Sequence, residues 1–228
     1  PEKLIEVCAT TEMHKGLGCL ISGGCLPNGS VPLKNFSETI REIKSKTKLK
    51  IVVHTGLINE ETAFSLKKAN VDAALIDVIG SDETIKAIYH LNAKTEDFEK
   101  SLNALKKAGI PLVPHVLVGL HHGEIKGEYN ALNMISRYNP SALILIIFFP
   151  IKGTKMEKDN PPNIFEAAKV MVYARKIFPN TPIALGCARP TGVYRVKLDL
   201  IAVKTGVNAI AFPSKEAIEL AKSFNLET

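Results

Sequence analysis

A chain of 228 residues with 46% hydrophobic and 23% charged side chains has the composition of a soluble globular protein, which excludes a disordered or fibrous chain. Its net charge of +6 comes mostly from lysines scattered over expected helix faces, without interleaved aromatic residues, so we expect no nucleic-acid partner. No apolar run spans a bilayer, and the four cysteines show no zinc spacing, which predicts a cytoplasmic protein without membrane contact.

The hydrophobic pattern predicts a leading helix over 1–15 and then strands that alternate with helices along the whole chain. Such alternation is typical of a parallel sheet with right-handed crossovers. We expect one α/β domain over 1–228, an incomplete (β/α) TIM-type barrel of about seven parallel strands whose first strand is missing. The predicted strands are 18–24, 49–56, 71–80, the apolar part of 110–124, 142–150, 183–187 and 207–212, and the helices after them are 36–46, 59–70, 81–91, 95–108, 128–137, 164–178, 194–205 and 214–224. Thr95 is predicted to be the N-cap of the helix at 95–108.

Polar residues recur where the predicted strands end. In a parallel α/β protein the loops at these carboxyl ends surround one mouth, so their recurrence favours a ligand site for a small-molecule substrate. These residues are Ser22 and Cys25, His54, Asp77, His115 with His121 and His122, Lys152 and Thr154, and Cys187 with Arg189.

Residue types alone leave several roles open. Gly23 and Gly24 fit a simple turn, or a backbone that closely approaches a ligand. Asp77 fits a cap on the following segment, or an acceptor for a ribose hydroxyl. Cys187 and Arg189 fit a small buried side chain beside a surface cation, or a thiolate that binds iron or a cluster.

Three segments resemble, in order and spacing, the adenosylmethionine-binding strands of radical SAM enzymes of the biotin synthase type. The segments are SGG at 22–24, VLVGLHHGE at 116–124 and FFPIKGT at 148–154. The nearest similarity is to a group of archaeal biotin synthase homologues, and it covers essentially the whole chain. The resemblance implies S-adenosylmethionine and a [4Fe–4S] cluster as cofactors. It implies that the methionine amino group is held by Ser22, Gly23 and Gly24, and that His54, Asp77 and His115 belong to the cofactor site, with Asp77 near the ribose. The residues that would flank adenine are Val118, Gly119, Leu120 and Ile151. By the same resemblance, Cys187 or Arg189 would ligate an auxiliary cluster.

The sequence departs from this family at the cluster. Radical SAM enzymes bind the [4Fe–4S] cluster through a CxxxCxxC loop after the first strand, and no such spacing occurs here, where Cys19 and Cys25 are separated by five residues. The absent loop and the absent first strand would occupy the same place, before Pro1. We therefore expect the cluster ligands to lie outside this chain.

The leading hypothesis is a radical SAM core that, when complete, abstracts hydrogen from an unactivated carbon, with sulfur insertion as the expected reaction. An alternative is a metal-dependent or phosphate-binding barrel lyase with His54, His115, His121 and His122 as ligands. A third is a non-catalytic barrel subunit.

A missing first strand would leave the strands at 18–24 and 207–212 with unpaired edges. We expect a homodimer or a partner protein across this open edge of the sheet, or a solvent-filled cleft. Leu20 and Ile210 should then be less completely covered than Val116, which lies on the central strand.

Overall fold

The computed structural model describes residues 1–228 and confirms the alternation of strands and helices. The strands are β1 (Gly18–Ile21), β2 (Lys50–His54), β3 (Ala73–Asp77), β4 (Leu112–Val118), β5 (Leu143–Ile147), β6 (Ile183–Leu185) and β7 (Ala209–Ile210). The helices are α1 (Glu2–Met13), α2 (Ser37–Lys46), α3 (Glu60–Lys68), α4 (Asp82–Thr84), α5 (Thr95–Ala108), α6 (Glu128–Ser136), α7 (Ile164–Ile177), α8 (Gly192–Lys204) and α9 (Lys215–Ser223).

The residues pack into two compact units. The first unit comprises residues 1–77 and 91–114, and the second comprises residues 78–90 and 115–228. Strand β4 begins in the first unit and ends in the second. All strand pairs are parallel and follow the chain order, from β1 to the start of β4 in the first unit and from the end of β4 to β7 in the second.

In the first unit, alternating apolar residues give β2 one fully covered face. Ile51 and Val53 are completely buried, whereas Val52 between them is half-buried. Helices α2, α3 and α5 supply the apolar side chains that cover this unit's core, and α3 packs against α5. The Asn59 side chain begins α3 by accepting a hydrogen bond from the Thr62 N–H.

In the second unit, the sequence LILII forms β5, the most apolar strand. Leu143, Leu145 and Ile147 are fully buried, while Ile144 and Ile146 are half-buried. Helices α6, α7 and α8 pack in succession in this unit. The strand therefore has one face covered by helices and a second face that is only partly covered, which is the face on which a ligand can be received.

Two local predictions are wrong. Residues 81–91 do not form one helix: α4 is followed by a single π-helical turn, Ile85–Tyr89, which ends at His90 with a left-handed φ of 53°. Thr95 is not the N-cap of α5, because it is the first helical residue. The preceding Lys94 N–H donates to the Asp97 carboxylate, so the aspartate supplies the side-chain bond at this helix start.

The outermost strands are less covered than the central one, as predicted. Strand β1 has only β2 as a neighbour, and β7 has only β6. Leu20 on β1 is 58% exposed and Ile210 on β7 is half-buried, whereas Val116 is 1% exposed. A dimer or partner protein at these edges stays a prediction. None of the helices has the length and apolar character needed to cross a bilayer.

Candidate functional site

His54 and Asp77 form a pair at the carboxyl ends of two neighbouring strands. His54 is the last residue of β2 and Asp77 is the last residue of β3. The register pairs His54 with Leu75, and Asp77 lies two residues further on, so its side chain leaves the same face of the strand as that of Leu75. His54 Nε2 is 3.2 Å from Asp77 Oδ1, and both side chains are partly exposed. This pair offers a carboxylate and an imidazole that can bind a hydroxyl group or a cation.

The turn Ser22–Gly24, which follows β1, is open. All three residues are exposed, and the N–H groups of Gly23 and Gly24 make no backbone hydrogen bond. A Cβ added at Gly24 would have nothing within 4 Å, and one at Gly23 would meet only the Val31 side chain at 3.6 Å. The protein's own packing therefore does not require glycine here. The turn leaves room and hydrogen-bond donors for a ligand.

A second turn, Gly119–Glu124, follows β4 and is tightly packed. Gly119 and Gly123 have φ values of 77° and 86°, and His122 between them also has a left-handed φ, 51°. A Cβ on Gly119 would lie 2.6 Å from the Pro162 ring, and one on Gly123 would lie 2.3 Å from the Asn160 carbonyl oxygen. Backbone strain of this kind persists only where surrounding contacts hold it, and it concentrates at functional sites.

Both histidines of this turn are bound to protein groups. His121 Nδ1 is 3.1 Å from Thr84 Oγ1, and its Nε2 is 3.5 Å from the Glu83 carboxylate. His122 Nδ1 is 2.8 Å from the Asp159 carboxylate. The two imidazoles thus contact different partners, and neither belongs to a group of three metal-ligating side chains.

The sequence predictions missed Glu128, the first residue of α6. Its Oε1 accepts a 2.7 Å hydrogen bond from the Gly119 N–H, although the residue is only 4% exposed. Burial raises the pKa of this carboxyl, and the Gly119 bond offsets only part of that effect. The sequence marks Glu128 only as an acidic residue at a helix start, which does not indicate that its side chain reaches back to the strand end.

The other residues predicted for the cofactor site differ in exposure. His115 and Val118 on β4 are buried, Leu120 is half-buried, and Ile151 after β5 is 56% exposed. Their assignment to a cofactor stays a prediction. Tyr194 stabilises the segment packed on Gly119, because its hydroxyl donates to the Pro162 carbonyl oxygen at 2.9 Å, and burial raises the pKa of Tyr194 to about 12.

Cys187 and Arg189 lie in different environments after β6. Cys187 is exposed, whereas Arg189 is buried and forms an ion pair with Asp199 on α8, with Nε to Oδ1 at 2.9 Å. The same guanidinium donates to the carbonyl oxygens of Gly186 and Phe212. Because these contacts occupy the Arg189 guanidinium, Cys187 is the better candidate of the two for a ligand to an auxiliary cluster. That role stays a prediction.

The residues of this chain do not fit a [4Fe–4S] cluster. Cys8 is fully buried in α1, Cys19 lies on β1, and Cys25 and Cys187 are exposed. No three of these thiols lie together as cluster ligands would. The folded structure, like the sequence spacing, therefore offers no set of three cysteines that could hold this cluster.

The sequence relatives of this chain include biotin synthases. It is 28% identical over 196 residues to "Biotin synthase" of Methanococcus vannielii, covering 81% of this chain and 57% of the relative. It is 26% identical over 187 residues to "Biotin synthase" of Lysinibacillus sphaericus, covering 78% of this chain and 56% of the relative. The chain is therefore similar in sequence to biotin synthases. It spans little more than half the length of these relatives, and no family model matches it.

Solved structures show the same α/β fold. The chain has a TM-score of 0.70 with the hydrogenase maturase HydG from Carboxydothermus hydrogenoformans, at 18% identity, covering 92% of this chain and 50% of that one. Methylornithine synthase (PylB) gives 0.66 at 17% identity, with coverages of 92% and 60%. A Brucella melitensis HMG-CoA lyase also gives 0.66, at 14% identity, with coverages of 99% and 84%. Fold alone therefore does not separate the radical SAM hypothesis from the lyase alternative, and the sequence relatives favour the former.

Proposed function

We propose that this chain is the S-adenosylmethionine-binding core of a radical SAM enzyme that resembles biotin synthase. The observation that carries the proposal is the open Ser22–Gly24 turn, whose backbone donors are unbonded and whose glycines have free space beside them. When the packing of the fold does not require a glycine at a strand end, that glycine is typical of a backbone that closely approaches a ligand. The similarity to biotin synthases supports S-adenosylmethionine as this ligand.

Each binding element has a role that its chemistry can support. The Ser22–Gly24 turn presents polar groups to the amino acid part of the cofactor. Asp77, held against His54, accepts a hydrogen bond from a ribose hydroxyl. The Gly119 turn is held by contacts with Pro162 and Glu128, so it presents a fixed surface to the adenine ring. Hydrogen abstraction and sulfur insertion belong to the complete enzyme, for which this chain supplies no cluster ligands.

The lyase alternative needs several histidines to share one metal ion. His121 and His122, adjacent in the sequence, instead bind Thr84 and Asp159. Their two rings meet edge to face with centroids 5.5 Å apart. This arrangement gives each imidazole a protein partner and gives the two no common ligand, so His121 and His122 do not supply the shared metal site that the alternative needs.

Calorimetric titration with S-adenosylhomocysteine tests the proposal. Gly24→Val puts a branched side chain where the ligand backbone contact is proposed, and we expect it to weaken binding by about five- to 150-fold, since overpacking costs about 1–3 kcal/mol. Lys48→Val is the matched control, because Lys48 is exposed and precedes the amino end of β2. It should bind like the wild type.

The free energy of unfolding separates binding from folding in this experiment. Nothing lies within 4 Å of the Cβ that Gly24→Val adds, so its unfolding should match that of the wild type. Equal affinity of Gly24→Val and the wild type, or no binding by the wild type, would contradict the proposed function.

A further inference from the structure

Glu128 is a buried acid with one oxygen bonded and one oxygen unbonded. Its Oε1 accepts the Gly119 N–H, and its Oε2 is buried without a hydrogen-bond partner. Ionisation of this buried carboxyl is costly because the charge loses its hydration, and the backbone N–H groups of Gly119, Glu128 and Lys126 offset only part of that cost. A protonated carboxyl at the same place loses far less. The geometry therefore favours the uncharged acid.

No cation neutralises Glu128. The small chamber beside it, about 10 Å³, is lined by residues of 78–84, 116–120 and 126–128, and Lys126 is the only other ionisable residue there. The Lys126 ammonium pairs with Glu83, which His121 also contacts. The neighbouring Tyr129 phenol offers no positive charge, and burial raises its pKa. A chamber of this size holds about one water molecule and no organic ligand.

We propose that Glu128 is a positioning residue that works in its neutral, protonated form and holds the Gly119 turn in its binding geometry. The inference rests on the proposed function, in which that turn flanks adenine. In the neutral acid, the carbonyl oxygen accepts the Gly119 N–H while the hydroxyl occupies the position of Oε2 without charge. Ionisation would leave a buried charge against the strand end and would loosen the turn.

A purely structural role gives a different expectation. Glu128 opens α6, and a carboxylate at a helix N-terminus is stabilised by the helix dipole. If Glu128 acted in that way, it would be ionised at neutral pH, and its amide replacement would lose the favourable charge. The two roles therefore differ in the behaviour of Glu128→Gln and in their dependence on pH.

The first test measures S-adenosylhomocysteine binding from about pH 6 to about pH 9 for the wild type, Glu128→Gln and Glu128→Ala. The Gln amide keeps the acceptor for the Gly119 N–H, so we expect affinity within about two-fold of the wild type at the acid end, whereas Ala leaves that donor unsatisfied and should lose about ten-fold. Wild-type affinity should fall relative to Gln as pH rises. The ratio of the two dissociation constants cancels the ionisation of the ligand. Glu216→Gln, which replaces an exposed acid in the first turn of α9, is the control and should follow the wild type at every pH.

The second test measures unfolding by urea over a similar pH range and needs no ligand. Because the folded pKa of Glu128 is raised, the native state binds the extra proton, so its contribution to stability is full below about pH 4.3 and is lost as pH rises through the folded value. The free energy of unfolding of Glu128→Gln should therefore increase relative to the wild type with rising pH.

Parallel pH profiles for the wild type and Glu128→Gln, or a Gln variant that loses binding as Ala does, would overturn the inference. If the wild type binds no S-adenosylhomocysteine at any pH, the proposed function fails, and the unfolding profiles alone decide whether Glu128 is protonated.

Discussion

The Ser22–Gly24 turn and the Gly119–Glu124 turn both follow parallel strands and both contain glycine, yet only the second requires glycine for the protein's own packing. A Cβ at Gly24 would meet nothing within 4 Å, whereas a Cβ at Gly119 would overlap the Pro162 ring at 2.6 Å. Gly24 has no positive φ, while Gly119 has a φ of 77°. Glycine in the first turn leaves space for something other than the protein. Glycine in the second turn is required by the protein's own packing.

This difference predicts how substitutions in each turn should act. The first turn is exposed and its glycine N–H groups make no backbone hydrogen bond, so a substitution there should change the proposed binding and leave folding unchanged. The second is a fixed piece of backbone held by Pro162, Asp159 and Glu128. A substitution there should change folding first. Measurements of the free energy of unfolding and of ligand affinity on the same variants therefore test this difference between the turns.

The largest effect should come from Gly119→Ala. A left-handed φ and an overlap with Pro162 together predict a loss of about 3 kcal/mol in the free energy of unfolding. The matched variant Gly24→Ala should change it by less than about 1 kcal/mol, because its backbone conformation suits alanine. Urea unfolding of both variants measures the contrast, and equal losses would remove the distinction between the turns.

A smaller effect should separate the two causes of that loss. In a double-mutant cycle of Gly119→Ala with Pro162→Gly, removal of the ring relieves the overlap but not the backbone strain. We expect a coupling energy of about 1–2 kcal/mol between the two sites, measured by the same urea unfolding. A coupling energy near zero would show that the left-handed φ alone demands glycine at this position.

The smallest effect should come from Asp159→Asn, which removes the charge that faces His122. Both side chains are partly exposed, so the pair should contribute about 0.5 kcal/mol at low salt and less at about 1 M salt. Unfolding at the two salt concentrations measures this. A loss above about 1.5 kcal/mol that salt does not reduce would mean that the ion pair, rather than the packing on Pro162, holds the turn.

The sequence predicted the order and type of almost every element because the periodicity of each apolar segment is a local property. Strand β5 is the clearest case, since LILII between turn residues leaves no competing helix pattern. The bounds of α5 were predicted correctly but its capping residue was not, because Thr95 and Asp97 are both good capping residues and the side-chain geometry that selects Asp97 is not visible in the sequence.

The candidate site was predicted less completely. His54 and Asp77 could be placed at the ends of neighbouring strands, because parallel strands bring their carboxyl ends to one edge. Glu128 could not be found, because its contact with Gly119 depends on how the loop between them folds back. The partners of His121, His122 and Arg189 are likewise long-range, and residue spacing carries no information about such contacts.

The buried Asp199 carboxylate affects how the C-terminal region of the chain opens locally. It binds the Arg189 side chain after β6 and the Ser214 N–H that precedes α9, and Arg189 in turn binds the Phe212 carbonyl oxygen after β7. One buried acid therefore joins the exits of the last two strands. Local opening of this region must break the ion pair and the Ser214 bond together, so amide hydrogen exchange at the start of α9 should proceed with that of the segment around Arg189, as one cooperative opening instead of gradual fraying from the terminus.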